Sequence, residues 1–496
     1  MRRWAVRSIA SERGRARLPA PVARLLSVSL GLAMSLGTAG AAIGDDEDAS
    51  LEIAERLAGA MRFETVSYED PADFRGDPFE ALFAYLAETY PLTHAALKLE
   101  RINDYTLLYE WPGSDAKLAP ALFMSHTDVV PVEESALEQW THPPFAGVIA
   151  DGYVWGRGAL DVKIGVILWL EAVEALVAEG FAPKRTLYLS FGHDEEVGGR
   201  RGAIAVAKRF ADQGVRLGFL FDEGGSLYDG HPLVPGRTTA SIVTAEKAFY
   251  TVELTARGVS GHSSIPPAST AIGKLARAIH RVEQNPMPAR LIPPLREMLE
   301  AASPYLPFAR RFAFDNLWLT GGMVRRAMLS DRINSALVRT TFAATLISGG
   351  VKDNVIPELA QATINVRILP GDTPDEVLAH LEEVIDDPEI EIQGTSWGVG
   401  APPARVAGPG YRLAKAAVQE VMPEVVVLPG LIPGATDSRH FAEVADEIYR
   451  FVPNRVHIEE IGGAHGRDER VAVEPLAESR EIAIGMVRRA GAAVSE

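Results

Sequence analysis

Three short apolar runs in this chain each stop at a knot of acids, histidines and glycines. Ala119–Met124 (APALFM) leads into Ser-His-Thr-Asp, Thr186–Phe191 (TLYLSF) into Gly-His-Asp-Glu-Glu, and Leu217–Phe221 (LGFLF) into Asp-Glu-Gly-Gly. Runs this short and this apolar fit strands covered on both faces. Helical patterns lie between them, at Lys163–Glu179 and Ala203–Gln213. The alternation predicts an α/β fold built on a largely parallel sheet with helices on both sides. In such sheets ligands collect beyond the carboxyl ends of the strands, which is where the polar knots fall.

The texture changes near Lys247. Ala248–Ala256 alternates as a half-buried strand does, and Ser269–Val282 reads as a helix. Asn285–Met328 is rich in Pro, Arg and aromatic residues and reads as helices packed on the surface. Strand-like Thr340–Ile347 and Gln361–Ile368 follow, then a helix at Pro374–Ile385 and a strand near Glu389–Gln393. Without the Pro-rich piece the order is β-α-β-β-α-β, a ferredoxin-like unit. After Gly394 the α/β texture returns and ends in a helix near Pro475–Arg489. The expected domains are a catalytic part at 45–246, an inserted lid at 247–394 and a second catalytic part at 395–496.

Residues 1–44 stand apart. They hold seven arginines against the single acid Glu12, then an uncharged run from Leu25 to Ile43 containing Ala39-Gly40-Ala41. A basic start, an apolar stretch and a small-residue site predict a secretory signal, hence a periplasmic or secreted protein. A retained membrane anchor is the alternative reading of the same run. The chain of 496 residues has 66 acids against 49 basic residues, a formal charge of −17. That balance argues against a nucleic-acid partner, which needs a basic footprint. There are no cysteines, so disulfides, thiolate metal sites and cysteine nucleophiles are excluded. Any metal must be held by His, Asp and Glu.

Candidate ligands stand at the expected strand ends and in Gly-rich loops. They are His126 and Asp128 in S-H-T-D-V-V-P, Asp161 in G-R-G-A-L-D-V-K, Glu195 and Glu196 in H-D-E-E-V-G-G, Asp222 in F-D-E-G-G, and His465 in G-G-A-H-G-R-D-E-R. Two histidines with several carboxylates suit a pair of divalent ions when no thiolate is present. A bridging carboxylate holds such ions roughly 3.5–4 Å apart, the spacing of two-metal hydrolases.

In these motifs and their order, residues 50–490 resemble the co-catalytic zinc metallopeptidases that include carboxypeptidase S, aminoacylase, glutamate carboxypeptidase and succinyl-diaminopimelate desuccinylase. The likeness is greatest to the carboxypeptidase S branch, with its secreted N-acyl-amino-acid hydrolases. H-T-D-V-V-P, D-E-E-V-G-G and the long Pro-rich insertion carry that placement. The resemblance implies a zinc-exopeptidase-like sheet sandwiched by helices, with an inserted ferredoxin-like lid that also serves dimerisation. It implies two Zn2+ ions per subunit, with Co2+ or Mn2+ as alternatives. His126 and Asp222 would bind one ion, Glu196 and His465 the other, and Asp161 both. Glu195 would be the general base, and Asp128 would orient His126. His262, in R-G-V-S-G-H-S-S, would stabilise the oxyanion with help from Asn354. Arg367, in N-V-R-I-L-P-G, would grip a substrate carboxylate. In some relatives a glutamate fills the terminal ligand position that Asp222 would take, and the peptide after the bridging Asp is commonly cis. His193 and His457 lie off the motif positions and read as bystanders.

The expected activity is hydrolysis of an amide next to a free carboxylate, in a small peptide or an N-acyl amino acid. Deacylation of a specific acetylated or succinylated amino-acid metabolite is an alternative. So is a non-catalytic binding protein on the same fold.

Overall fold

The computed structural model describes residues 36–396 and 400–492. Most of the expected signal segment therefore lies outside the described residues. Residues 46–496 form one unit, distinct from residues 1–45.

The apolar runs become strands because every residue in them is buried. Ala121–His126 and Leu187–Gly192 are buried at each position, as is Phe219–Asp222. Ala121–His126 pairs in parallel with both of the others, and Ile448–Arg450 extends the parallel set beside Phe219–Asp222. They occupy the middle of a ten-stranded sheet. Antiparallel strands Lys98–Ile102 and Thr106–Trp111 close one edge. The helix Ile164–Ala178 crosses one face, buried along nearly its whole length. Its Trp169 indole donates to the carbonyl of Met124, 3.2 Å away. The C-terminal helix Leu476–Gly491 packs beside it in the same core cluster. Among the described residues no helix is long and apolar enough to cross a membrane.

The second sheet has four antiparallel strands in the order Thr341–Gly349, Leu359–Ile368, Ala248–Arg257, Ile390–Ser396. Helices Ala271–Gln284 and Pro374–Ile385 pack on it around a separate core. Numbered along the chain, the strand order is 4-1-3-2, the ferredoxin-like arrangement. The Pro-rich piece forms surface helices, among them Pro293–Ala302, Phe308–Asp315 and Leu317–Met328.

The chain passes between the sheets at Glu246-Lys247, and both residues are buried. Glu246 pairs with buried Arg450 at 2.6 Å. The Lys247 ammonium donates to the carbonyls of Ala336 and Arg339 and to the Thr341 hydroxyl, all within 3.1 Å. The second sheet is thus joined through a crossover at which Glu246 pairs on one side and Lys247 is hydrogen-bonded on the other.

Candidate metal centre

The acids and histidines converge beyond the carboxyl ends of the parallel strands. His126 ends its strand, and Glu195 and Glu196 open the turn after Leu187–Gly192. Asp161 lies in the turn that leads into Ile164–Ala178, and the Asp161-Val162 peptide is cis. His465 follows the short helix Ile458–Gly463.

Asp161 stands between the two histidines. Its Oδ1 is 3.2 Å from His126 Nε2 and its Oδ2 is 3.1 Å from His465 Nε2. His465 Nε2 is also 3.0 Å from Glu196, and His126 Nε2 is 3.4 Å from Glu223. Two groups of ligand atoms gather within 4.8 Å of one another, His126 with Asp161 and Glu196, and His126 with Glu195 and Glu223.

Carboxylates packed this closely cannot all keep their ordinary charge. Burial, with Asp161 adding to it, pushes Glu223 up to about 8. Burial also lifts Glu195 well above the usual carboxylate range, with Glu223 and Asp437 contributing. At Asp161 burial acts upward too, but the hydrogen bonds from His126 and His465 outweigh it and hold the group low. Hydrogen bonds to Asp161 and Glu196 raise His465 to about 10. Burial disfavours charge on His126, yet Glu223, Asp128 and Asp161 together leave the ring above its usual value. Four acids around two imidazoles make an excess of negative charge that a cation discharges. The donors are all nitrogen and oxygen, so the residues present fit a divalent metal centre.

Two buried acids frame the centre. The carboxylate of Asp128 accepts from the Ser67 hydroxyl at 2.7 Å and from the backbone N–H groups of Glu195 and Glu196, each at 3.2 Å. His126 Nδ1 is 2.9 Å from the Asp128 carbonyl and 3.4 Å from its carboxylate. One residue therefore fixes the histidine tautomer and the position of the Glu-Glu turn. The Glu469 carboxylate accepts from Arg157 at 2.6 Å and from the N–H groups of Gly158, Leu160 and Asp161, none longer than 3.0 Å. Arg157 also donates to the carbonyl of His465 at 3.0 Å. That ties the loop of Asp161 to the loop of His465.

A family model described as Peptidase family M20/M25/M40 matches residues 122–489. The chain belongs to this peptidase family. It is similar to the probable carboxypeptidase S-like 2 of Dictyostelium discoideum, 37% identical over 86% of this chain and 82% of the relative. It is 36% identical to the N-fatty-acyl-amino acid synthase/hydrolase PM20D1 of Mus musculus, over 86% of each chain. Among solved structures, the M20 family metallo-carboxypeptidase Sso-CP2 from Sulfolobus solfataricus superposes with a TM-score of 0.64 at 18% identity, over 89% of this chain and 99% of that one. As a member of the M20 peptidase family the protein is a metal-dependent hydrolase of amide bonds.

One expected ligand stands apart from the clustered side chains. Asp222 does not face His126. Successive residues of a strand point to opposite faces, and Asp222 ends its strand with its carboxylate turned to the backbone N–H of Ser438, 2.8 Å away. Glu223, one residue on, takes the place beside His126. Asp222 instead anchors the Thr436–Ser438 segment against the sheet.

The residues expected on the inserted domain fall into two groups. Arg367 is half-buried over the Phe249 ring, 4.6 Å from its centroid, and within electrostatic reach of Glu195. His262 is exposed on a two-stranded ribbon, its Nδ1 2.7 Å from the Ser264 hydroxyl. Asn354, in the loop that leads into the opposite strand, is exposed and accepts from the N–H of Ser263 through its carbonyl. His262 belongs to neither group of clustered ligand atoms. His193 is buried against Thr106 and the rings of Phe74 and Phe79, and His457 is exposed and caps Glu459.

Sequence reading passed over Glu223, Glu469 and Asn454. No alternation separates Asp222 from Glu223, because Phe219–Asp222 is buried at every position. Glu469 gave no such signal inside the charged run G-R-D-E-R. Asn454 is buried with neither side-chain polar atom hydrogen-bonded to the described residues. It lines a cavity of about 140 Å³ with Asp161, Glu223 and apolar residues such as Leu160 and Val452.

Proposed function

We propose that this protein is an exported hydrolase of N-acyl amino acids or small peptides, cutting the amide next to a free carboxylate with a pair of zinc ions. The observation that carries the two-ion reading is Asp161, whose two oxygens each face a different histidine. His126 and Glu223 would hold one ion, His465 and Glu196 the other, and Asp161 both. Bound zinc supplies Lewis-acid polarisation of the scissile carbonyl and lowers the pKa of water in the site.

The remaining chemistry belongs to the chain. Glu195 takes the proton of the attacking water and returns it to the leaving amine, a task suited to a carboxylate whose burial raises its pKa. Arg367 reaches the substrate carboxylate through its guanidinium fork. Asn454 offers a donor and an acceptor to a polar group of a substrate lodged beside Glu223. His262 and Asn354 stand on one ribbon, where His262 would donate to the developing oxyanion once the lid meets the metal domain. The outer lid strand Thr341–Gly349 leaves Leu346 and Ile347 each 68% exposed, an open edge that suits pairing of two copies.

The test is hydrolysis of two series, dipeptides and N-acyl amino acids from acetyl to long-chain, by protein of measured zinc content. Turnover of either series at two zinc ions per chain is expected. Glu195→Gln should keep both ions and lose a hundred- to ten-thousand-fold in rate, on the order expected for a general base. No turnover of either series by the two-zinc protein would refute the proposal. Export is tested separately, by fractionation and N-terminal sequencing, with a start between Ala42 and Asp45 as the expected result.

A further inference from the structure

The helices of the Pro-rich lid insertion are turned inside out in one respect. Phe308–Asp315 and Leu317–Met328 pack inward through Ala313, Leu317 and Val324 on a common core. They present large apolar side chains outward beside exposed arginines. Phe308 is 83% exposed, Trp318 82%, and Leu319 and Met323 62% each. Phe308 and Phe312 stand one turn apart with ring centroids 6.4 Å apart. On the second helix Trp318, Leu319, Gly322 and Met323 follow the three- and four-residue spacing of a single face. Single exposed apolar residues are ordinary on a protein surface, but a contiguous group of this size marks an interaction site.

The charge around the patch says what covers it. Between Ser303 and Leu337 there are five arginines, Arg310, Arg311, Arg325, Arg326 and Arg332, against the two acids Asp315 and Asp331. Both acids are engaged locally. Asp315 pairs with Arg311, and Asp331 caps the next helix by accepting from Asn334. The other four arginines make no ion pair among the described residues. In a two-fold pairing of this patch with the same patch of a second copy, these arginines would face one another without acids to offset them. Exposed aromatic and aliphatic side chains flanked by arginine are matched to an anionic lipid–water interface. There the rings enter the headgroup boundary while the arginine stems lie along it and their heads meet phosphate.

We infer that the helices Phe308–Met328 form a docking surface for anionic lipid, setting this insertion on a membrane surface without spanning it. The inference does not depend on which amide the centre cuts, because no residue of the patch belongs to that centre.

The experiment is co-sedimentation of the full chain with vesicles of phosphatidylglycerol and phosphatidylcholine, and with vesicles of phosphatidylcholine alone. Expected is binding to the mixed vesicles, weaker on phosphatidylcholine and reduced by added salt. The Arg325→Gln, Arg326→Gln double variant should partition on the order of thirtyfold more weakly, from the usual contribution of each basic residue near an anionic surface. The Phe308→Ser, Trp318→Ser double variant should lose binding to both vesicles. Both variants should keep wild-type zinc content and wild-type hydrolysis of a soluble substrate, since the altered side chains are exposed. Three results would overturn the inference. One is no vesicle binding by the wild-type chain, and another is binding that neither double variant changes. The third is a wild-type dimer that Phe308→Ser, Trp318→Ser converts to monomer without any vesicle binding, which would give the patch to a second copy.

Discussion

Asp128→Asn isolates the part of the centre that orders ligands without touching the reacting atoms. Asp128 is fully buried, and its two oxygens serve different backbone donors, Oδ1 the N–H of Glu195 and Oδ2 the N–H of Glu196. Asparagine keeps the shape but has one oxygen and one NH2. Whichever way the amide is turned, one backbone N–H meets another donor and loses its partner. A buried donor left unpaired costs about 1–3 kcal/mol, and outer-shell partners of metal ligands are worth about 10–100-fold in activity or affinity. The loss should fall unevenly. His126 keeps its nearest partner, the carbonyl of residue 128 at 2.9 Å, so its tautomer survives the change. Glu195 and Glu196 lose the turn that aims them. Expected is a kcat lower by about 10–100-fold, with a smaller change in the zinc affinity of the His126 side. The assay is steady-state kinetics on a good substrate, alongside zinc retention during chelator titration. A variant within twofold of wild type in both would show that Asp128 does not position the Glu-Glu turn. Loss of zinc from the His126 side with kcat per bound zinc unchanged would also refute the reasoning.

Three further outcomes follow from named contacts. Glu223→Gln should weaken binding of one zinc per chain. Asp222→Asn should keep both and instead lower thermal stability, because Asp222 accepts from Ser438 inside the sheet; metal analysis and melting of the two variants distinguish the assignments. His262→Ala should keep zinc and folding while kcat falls on the order of a hundred- to a thousand-fold, and unchanged kcat would remove it from the oxyanion. Buried Lys247 is held at about 7, by burial first and then by Arg367 and Arg339, and buried Lys163 is likewise lowered to about 7 by burial. The unfolded chain binds protons at these lysines up to a pKa near 10.4. Between about pH 7 and 10 these two sites therefore bind more protons in the unfolded chain than in the folded one, and their contribution to stability rises with pH. Denaturant melts of wild type and Lys247→Met across that window isolate the Lys247 share: the stability of wild type relative to the variant should rise with pH, and a difference that is level or falling would contradict the charge state assigned to Lys247.

What the sequence could reveal depended on how local the controlling interaction was. The central strands were legible because Ala121–Met124 and Leu187–Phe191 are apolar on both faces and stop at polar loops. The lid was legible because alternation over Ala248–Ala256 and the two helical stretches are local patterns. The choice between Asp222 and Glu223 turns on one step of strand phase at a strand end, where a run of acids hides the phase. Asp128 was expected to orient His126, and it does so more closely through its carbonyl than through its carboxylate; composition carries no information on such a turn. Glu469 holds the N–H groups of Leu160 and Asp161 from more than three hundred positions away, so no spacing could have announced it. The Pro-rich piece was recognisable as surface helices, but which of its apolar residues face outward is decided by the core they pack on.

The central claim is that Asp161 is shared between two metal positions, one completed by His126 and Glu223 and the other by His465 and Glu196. The most direct measurement is anomalous diffraction at the zinc edge from crystals of the zinc-loaded protein. The expected map has two peaks per chain, one bounded by His126 and Glu223, the other by Glu196 and His465, with one oxygen of Asp161 at each. A single peak, or a peak coordinated by Asp222 with Glu223 turned away, would contradict it.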